Sequence, residues 1–460
     1  MPVEGSPMRK HAVLAAALVI AVVPFAGARA QPLCGGPPPM APLSFAPPVI
    51  VDPVRAGGEP VVTSLPDGTL VYSTHAGDTH LYKPNMPDAD FVTPYTGADY
   101  VWRSTDRGAT WEYVGLAGLG VGPHALVTGF SDPTLAVDAA GNVYVAGIRI
   151  PGTVYTAKSS DSGRTWEGNP AAAFNADREW LAADLPDMVY LNGNATPGGR
   201  QLWRSTDGGR TWPIQGVPLQ GTGPTSPIVV DPTDGRLYFS DAGNFGGFGT
   251  VQVFPNARSG DLTTTWRGFI RGGLPHAYGF LNPIALDDAG NVYVVANTSS
   301  EVRLAYSTDR GESFTSVVVD RPGKEVLWPW VAAGADGRVA VAWLEADRDL
   351  GDVNVDVADY RIVVAQTVTG HGWTDACGEE RAPEFVRAFA SDPIHRGTIC
   401  TFGLGCNVFV SGDRRLGDFF TMEVARDGAL MIAYGETVTK PSGAISRPAF
   451  VLQSGGLDFR

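Results

Sequence analysis

Short apolar stretches occur in pairs along the chain, and a tight turn separates the two members of each pair. In the first pair, apolar residues within 60–64 and 69–72 flank an Asp67-Gly68 turn. Apolar and polar positions that alternate around such a short turn predict a β-hairpin. The same pattern recurs at 133–146, 180–192, 227–240, 283–296, 329–344 and 419–434. The sequence therefore predicts seven hairpins.

A polar phrase with a terminal aromatic residue recurs between the hairpins. Residues 104–111 read S-T-D-R-G-A-T-W, copies follow at 159–166, 205–212 and 307–314, and a degraded copy lies at 259–266. Its aspartates are spaced 55, 46, 54 and 48 residues apart: Asp106, Asp161, Asp207, Asp261 and Asp309. Aspartate accepts hydrogen bonds from nearby backbone N–H groups, and glycine supplies a positive φ. We interpret these aspartates as structural residues of a turn, with no catalytic role.

The spacing of the phrases corresponds to one four-stranded blade of a β-propeller. The phrase resembles the Asp box of the sialidase-like (BNR-repeat) propellers, and the resemblance covers nearly the whole chain after residue 30. We expect an all-β fold, a seven-bladed β-propeller of four-stranded antiparallel blades. The alternative is a six-bladed propeller with an appended hairpin. The fourth strand of the last blade is expected from 49–51, which would close the ring.

Residues 1–30 have the features of a signal peptide. Arg9 and Lys10 precede an apolar run at 12–26, and the sequence at 28–30 fits a cleavage site. That run is too short to cross a bilayer, and no membrane span is expected elsewhere. We expect a secreted or periplasmic protein with an N-terminal extension at 31–48. A single propeller domain would then occupy 49–460, with a long loop insertion at 375–417.

Export permits disulfides, and the chain has four cysteines: Cys34, Cys377, Cys400 and Cys406. Four cysteines allow three pairings. Cys400 and Cys406 flank a short glycine-containing loop, and this favours a disulfide between them. The two remaining cysteines, Cys34 and Cys377, would then form the second pair.

Composition restricts the classes of partner. The chain has 57 glycines and 36 prolines, which argues against a helical bundle. Charged residues make up 18% of the chain, and the net charge is −14. Phosphate binding requires a basic surface, so we expect no nucleic-acid partner. We expect a monomer.

The residues that open the seven innermost strands are expected at the mouth of the central channel: Glu59, Asp132, Glu179, Ser226, Asn282, Trp328 and Asp418. Four of these seven residues are acids. We expect the four acids to form one shared site. Like charges repel unless a cation intervenes. Arg178 and Arg415 are the nearest candidates in sequence, and Ca²⁺ is the alternative. A second interpretation makes each acid a separate cap for backbone N–H groups.

The long loops all fall on the rim opposite the Asp boxes, and loops on a rigid scaffold commonly carry sites. The histidines of these loops include His75, His80 and His276, the last near Tyr278. Candidate catalytic residues are Glu59, Asp132, Asp418, His276 and Tyr278. Candidate substrate-binding residues are Arg178, Glu179, Trp328, Arg415, His75 and His80.

The resemblance implies a glycan or polysaccharide substrate and hydrolase-like or lyase-like chemistry at the long-loop rim. True sialidases begin with an Arg-Ile-Pro phrase ahead of the first hairpin, and its arginine binds the substrate carboxylate. Here Gly58 stands at that position. Exo-sialidase activity is therefore not expected. The alternative function is a non-catalytic propeller that binds a glycan or an extracellular protein.

Overall fold

The structure is a computed structural model of the 460-residue chain. The residues it describes are 35–75, 99–117, 132–149, 153–174, 176–195, 198–220, 225–241, 250–262, 266–271, 281–403, 406, 412–439, 441 and 445–460. These residues form a seven-bladed β-propeller, as the hairpin count predicts. The described ranges contain no α-helix, and they include a 3₁₀ turn at Ala257–Ser259. None of their helices has the length and apolar character needed to cross a membrane.

The first four blades follow the chain from the innermost strand outwards. Blade 1 contains β3 (Val61–Ser64), β4 (Leu70–His75), β5 (Asp99–Ser104) and β6 (Glu112–Ala117). Blade 2 contains β7 (Thr134–Val137), β8 (Val143–Arg149), β9 (Thr153–Ser159) and β10 (Glu167–Phe174). Blade 3 contains β11 (Ala176–Ala183), β12 (Val189–Ala195), β13 (Gly199–Ser205) and β14 (Val217–Pro218). Blade 4 contains β15 (Ile228–Val230), β16 (Leu237–Asp241), β17 (Thr250–Phe254) and β18 (Trp266–Arg271).

The remaining blades are less regular at their outer edges. Blade 5 contains β19 (Ile284–Leu286), β20 (Val292–Asn297), β21 (Val302–Ser307) and β22 (Ser313–Asp320). Blade 6 contains β23 (Val326–Ala333), β24 (Val339–Ala346), β25 (Ala358–Thr367) and β28 (Val386–Phe389), while β29 (His395–Gly397) also pairs with β25. A small separate sheet joins β26 (Trp373–Thr374) to β27 (Glu380–Arg381). Blade 7 contains β30 (Thr421–Val424), β31 (Leu430–Glu436) and β32 (Arg447–Gly455).

The N-terminal end of the described chain completes the seventh blade. β1 (Ser44–Phe45) and β2 (Val49–Ile50) both pair with β32. In the pairing of β2 with β32, Val49 lies opposite Phe450. The ring is thus closed by backbone hydrogen bonds between the two ends of the fold, as expected for residues 49–51. β1 shows that the segment 31–48 also contributes a strand. Similarly, β28 lies within 375–417, so part of the segment predicted as a loop forms the outer strand of blade 6.

Buried aromatic residues fill the space between blades. The second strands of the first five blades each carry a fully buried tyrosine: Tyr72, Tyr144, Tyr190, Tyr238 and Tyr293. Rings of this size bury a large apolar area and dominate the energetics of packing. Two of the hydroxyl groups also donate hydrogen bonds to turn aspartates: that of Tyr144 to Asp138 and that of Tyr293 to Asp287. All five rings are therefore buried in the core, and those of Tyr144 and Tyr293 also hold a hairpin turn in place.

Four of the polar phrases form the same turn. In the third copy, Asp207 Oδ1 accepts from Ser205 Oγ at 2.7 Å and from the Thr211 backbone N–H at 3.0 Å. The Trp212 indole N–H donates to the Gly209 carbonyl at 3.0 Å. Equivalent bonds surround Asp106, Asp161 and Asp309. Asp261 follows the 3₁₀ turn. These contacts support the interpretation of the phrase as a structural turn.

Replacing Asp207 with alanine is expected to lower the free energy of unfolding by about 1–2 kcal/mol, because several charge-assisted bonds of one turn disappear. Urea unfolding measures this change. Glu167→Ala is the matched control, since that carboxylate makes only an exposed 3.4 Å pair with Arg210, and such pairs contribute about 0–1 kcal/mol. Equal losses in the two variants would contradict the structural role of Asp207.

The innermost strands β3, β7, β11, β15, β19, β23 and β30 surround the central channel. Each begins at the long-loop rim and ends in a tight turn, such as the one in which Leu65 N–H donates to the Thr69 carbonyl at 2.8 Å. Residues just before these strands therefore lie together at one end of the channel. Residues just after them lie at the opposite end, beside the Asp boxes.

Candidate functional site

Acidic and basic side chains from four blades converge where the innermost strands begin. Arg178 Nη2 donates to Asp418 Oδ2 at 2.9 Å, which joins blade 3 to blade 7. The Arg178 backbone N–H donates to Asp132 Oδ2 of blade 2 at 3.2 Å. The Asp418 backbone N–H donates to Glu59 Oε1 of blade 1 at 3.0 Å. The acids expected to share one site are therefore neighbours.

Arg414 is the second cation of this cluster. Its guanidinium donates to Asp418 Oδ1 and lies 3.6 Å from Glu59 Oε1. It also donates to the Gly417 carbonyl at 2.8 Å. Two guanidinium groups thus bond the two oxygens of Asp418, and such contacts favour the carboxylate form. Burial tends to lower the pKa of Arg414, but Asp418 and Glu59 keep it above its ordinary value.

Glu59 differs from Asp418, because its surroundings disfavour the carboxylate form. Burial, and then the charges of Asp132 and Asp418, raise the pKa of Glu59 well above its ordinary value, against the opposing charge of Arg414. Neighbouring acids that cannot all ionise share protons. The cluster therefore places Asp418, a carboxyl group that two arginines bond, beside Glu59, a carboxyl group whose pKa is raised.

Glu179 is a fully buried acid behind the cluster. Neither of its carboxyl oxygens has a hydrogen-bond partner among the residues that the structure describes, and the residue has no exposed surface. Burial, and then the charge of Asp132, raise its pKa well above the ordinary value. The nearby Tyr155 donates its hydroxyl hydrogen to Asp99. The raised pKa of Glu179 favours its neutral form, and this acid lies beside a tyrosine–aspartate pair.

Asp177 is the acid of the cluster that meets solvent. Partial burial of its carboxyl group, and then the charge of Asp132, raise its pKa to about 6, although the residue as a whole is exposed. Its neighbour Arg178 is half-buried. A carboxyl group with a pKa near neutrality can both donate and accept a proton at physiological pH. Asp177 and Arg178 are thus the members of the cluster that can contact a ligand.

Local irregularities of the strands aim these side chains. The register of β11 against β12 shifts between Asp177 and Trp180, and Arg178 has φ 53°. Glu59 has φ 50° in the corresponding place before β3. A positive φ in a residue with a side chain is strained and persists only where other contacts fix it. Here the salt bridges of the cluster supply those contacts.

Two glycines make room for the cluster. A Cβ on Gly58 would lie 2.2 Å from Nε2 of the buried His75, so the position at which the resemblance would place an arginine is filled by this ring. A Cβ on Gly417, which has φ 78°, would lie 2.2 Å from Glu59 Cγ. Glycine is required at both positions by close approach.

Other predicted site residues lie apart from the cluster. Arg415 bonds Asp413 through Nε at 2.8 Å and the Pro441 carbonyl at 2.9 Å, so Arg414 takes the neutralising role predicted for Arg415. Adjacent residues point in different directions, and this separates the two arginines. Trp328 is buried in the apolar core between blades 6 and 7. The Ser226 hydroxyl accepts from the Asn282 backbone N–H at 3.1 Å. His80, His276 and Tyr278 lie outside the described residues.

A disulfide lies beside the arginine pair. Cys400 and Cys406 are bonded, as predicted, and the Cys400 backbone N–H donates to the Asp413 carbonyl at 2.9 Å. The Cys400 carbonyl is 3.4 Å from Arg414 Nη1. Cys377 is also disulfide-bonded, while Cys34, its predicted partner, lies outside the described residues. The Cys400–Cys406 loop thus supports the backbone from which Arg414 extends.

Arginines rather than a metal ion accompany these acids. Within the part of the chain that the structure describes, no group of three or more His, Cys, Asp or Glu side chains is arranged to hold a metal ion. The carboxyl oxygens of Asp418 and Glu59 face Arg178 and Arg414 instead. The donor set therefore does not fit the Ca²⁺ ion that was the alternative to an arginine.

Known proteins resemble this chain only distantly. No protein-family model matches the sequence, and no curated protein matches it. Similar solved structures include the alpha-L-arabinanase of Penicillium chrysogenum with arabinobiose, at 15% identity over 92% of this chain and 99% of that chain, with a TM-score of 0.41. The endosialidase of phage phi92 matches at 11% identity over 90% and 69%, with a TM-score of 0.47. YCF48 bound to a D1 peptide matches at 12% identity over 90% and 97%, with a TM-score of 0.44. These likenesses concern the propeller fold alone.

Proposed function

We propose that this protein is an exported propeller that acts on a neutral glycan or polysaccharide through the acid–arginine cluster at the long-loop rim. The observation that carries the proposal is the unequal surroundings of adjoining carboxyl groups. Two arginines bond Asp418 and favour its carboxylate form, whereas burial raises the pKa of Glu59. Pairs of acids whose environments separate their pKa values are the usual source of acid and base in glycoside hydrolysis.

Asp177 is the proposed proton donor and acceptor toward the ligand. It is the exposed acid of the cluster, and its pKa of about 6 suits both roles near neutral pH. The Asp418 carboxylate, fixed behind it, would stabilise positive charge that develops on a sugar ring. Arg178 holds Asp418 in place and offers a hydrogen-bond donor to ring hydroxyl groups. The cluster contains more acids than arginines, which favours a neutral ligand over an anionic one.

Binding without catalysis is the second candidate function. The burial of Glu59, Glu179 and Asp418, which expose 1%, 0% and 3% of their surface, favours it. In that case Asp177 and Arg178 would bind a glycan or an extracellular protein, and the acids behind them would only fix the shape of the rim. The disulfide at Cys400–Cys406 accords with an oxidising compartment in either case.

Reducing-end release from a panel of neutral and anionic polysaccharides, together with a glycan array, tests the proposal. We expect the purified protein to bind and cleave a neutral glycan and to release nothing from a fluorogenic sialoside. Asp177→Asn should keep binding and lose at least about 100-fold in turnover, the typical contribution of a general acid. Glu312→Gln, an exposed acid beside an Asp box, is the matched control. Binding without turnover would support the second candidate, and the absence of both would overturn the proposal.

A further inference from the structure

The opposite end of the channel contains a cavity that the acid–arginine cluster does not reach. Its volume is about 590 Å³, within the range of small-molecule sites. All seven innermost strands contribute to its wall, with residues from Val61 in β3 to Val424 in β30. It opens toward the tight turns, because Asp231 and Asp288, which follow β15 and β19, also line it.

Three aromatic rings separate this cavity from the cluster. Trp180 of blade 3 lies 5.9 Å from Trp330 of blade 6 and 5.2 Å from Phe419 of blade 7, measured between ring centroids. Trp330 and Phe419 are 6.1 Å apart. Blade 3 stands across the ring from blades 6 and 7, so the rings meet on the channel axis. They form the floor of the cavity.

The walls of the cavity are apolar, and its charged groups are all acids. Val230, Leu286, Ala333 and Val424 are half-buried and line it. The charged residues that line it are Asp231, Asp287, Asp288 and Glu423, and no lysine, arginine or histidine is among the described lining residues. A cleft with charges of one sign attracts ligands of the opposite sign. The cavity therefore favours a cation that has an apolar body.

Two of these acids, Glu423 and Asp288, are available to a ligand, and they lie at different depths in the cavity. Asp287 is engaged by Asn291 and Tyr293, and Asp231 by Thr233 and Arg310. Glu423 lies inside β30 and accepts one bond from Thr63 Oγ1 at 3.0 Å. Burial raises the pKa of Glu423 to about 7, against the opposing effects of Thr63, Ser64 and Arg426. Asp288 is exposed and follows the end of β19, so it lies nearer the opening.

We infer that this cavity is a binding site for an elongated organic cation, an aliphatic diamine in its simplest form. One ammonium group pairs with Glu423 deep in the channel, and the second with Asp288 near the opening. The hydrocarbon chain between them covers the apolar walls and removes their surface from water. The indole of Trp330 at the floor adds a favourable face for the inner cation. This site is independent of the proposed glycan-acting cluster.

Titration calorimetry at pH 8 and low salt tests the inference with 1,8-diaminooctane and, as the neutral ligand of equal length, 1,8-octanediol. We expect saturable binding of the diamine with one site per chain, at least tenfold tighter than binding of the diol. Glu423→Gln keeps an acceptor for Thr63 and should weaken diamine binding at least tenfold. Ala333→Leu fills part of the cavity and should weaken both ligands. Asp177→Asn and Glu312→Gln should change nothing.

Three results would overturn the inference: no saturable binding, equal affinity for diamine and diol, or equal binding by wild type and Glu423→Gln. The comparison of the two ligands needs only the wild-type protein, so a poorly folding variant does not remove the test. Asp177→Asn affects only the cluster at the other rim, so it should change glycan turnover and leave diamine binding unchanged. Failure of the diamine site and failure of the glycan proposal can therefore be told apart.

Discussion

Replacing Arg414 with methionine is expected to lower the free energy of unfolding by about 3–5 kcal/mol, the range for removing one partner of a buried ion pair. The Asp418 and Glu59 carboxyl groups would remain buried at 3% and 1% exposure, with Arg178 as their main remaining cation. Methionine preserves most of the side-chain volume, so the change reports mainly on charge. Denaturant unfolding at pH 7 measures it.

The matched control for this variant is Arg210→Met. Arg210 also faces a carboxylate, at 3.4 Å, but both partners of that pair are exposed. Exposed pairs contribute about 0–1 kcal/mol. Adding Asp418→Asn to the Arg414→Met protein should restore part of the loss, because in that protein the Asp418 carboxylate keeps only one of its two arginines, Arg178. A loss in Arg414→Met no larger than in Arg210→Met would contradict the role of Arg414 in the cluster.

Replacing Glu179 with glutamine is expected to stabilise the protein at pH 8 and to have little effect at pH 4.5. Burial raises the pKa of Glu179, so the folded protein retains a proton that the unfolded chain releases above pH 4.5. The stability that this proton supplies is complete below that pH and is lost as the pH rises through the folded-state pKa. Glutamine is neutral throughout and avoids the loss. The expected gain at pH 8 is at least about 1.4 kcal/mol, the free energy that corresponds to one unit of pKa difference between the folded and unfolded states.

Unfolding curves of both proteins at the two pH values test this expectation. The Asp boxes do not disturb the comparison at pH 4.5. Desolvation tends to raise the pKa of Asp161, but the hydrogen bonds of Thr165 and Ser159 together outweigh it and lower the pKa to about 2. Glu312→Gln, which removes an exposed acid, should be equally stable as wild type at both pH values. A Glu179→Gln protein that is less stable than wild type at pH 8 would show that Glu179 ionises in a partner-rich environment.

The fold was predictable because its signals are local. Each hairpin is encoded within about 15 residues by alternation and an Asp-Gly type of turn, and each Asp box closes its bonds within a few residues, as between Asp207 and Thr211. The outer strand β28 escaped prediction because it pairs with β25 across an irregular segment, where no phrase marks it. The parallel pairing of β18 with β22, which joins blades 4 and 5, likewise has no local signal.

The position of the site could be predicted from the sequence, but the contacts between its side chains could not. Propeller topology alone brings Glu59, Asp132 and Asp418 together, because the innermost strands begin around one axis. Which side chain faces which depends on backbone irregularities that composition does not show. The shift before Trp180 exchanges the roles of Arg178 and Glu179, so that the arginine enters the cluster and the acid lies behind it. The choice of Arg414 over Arg415 depends in the same way on contacts made after folding.

The central claim of this account is that one cluster holds protonated and ionised carboxyl groups side by side at neutral pH. Infrared difference spectroscopy measures this directly, because a protonated carboxyl group and a carboxylate absorb in separate C=O stretching regions. We expect a protonated-carboxyl band in the wild-type protein at pH 7 that is weaker in Glu59→Gln/Glu179→Gln, where Glu423, whose pKa is about 7, still contributes to it, and that is retained in Asp418→Asn. A wild-type spectrum without that band at pH 7, or with the same band in the double variant, would contradict the account.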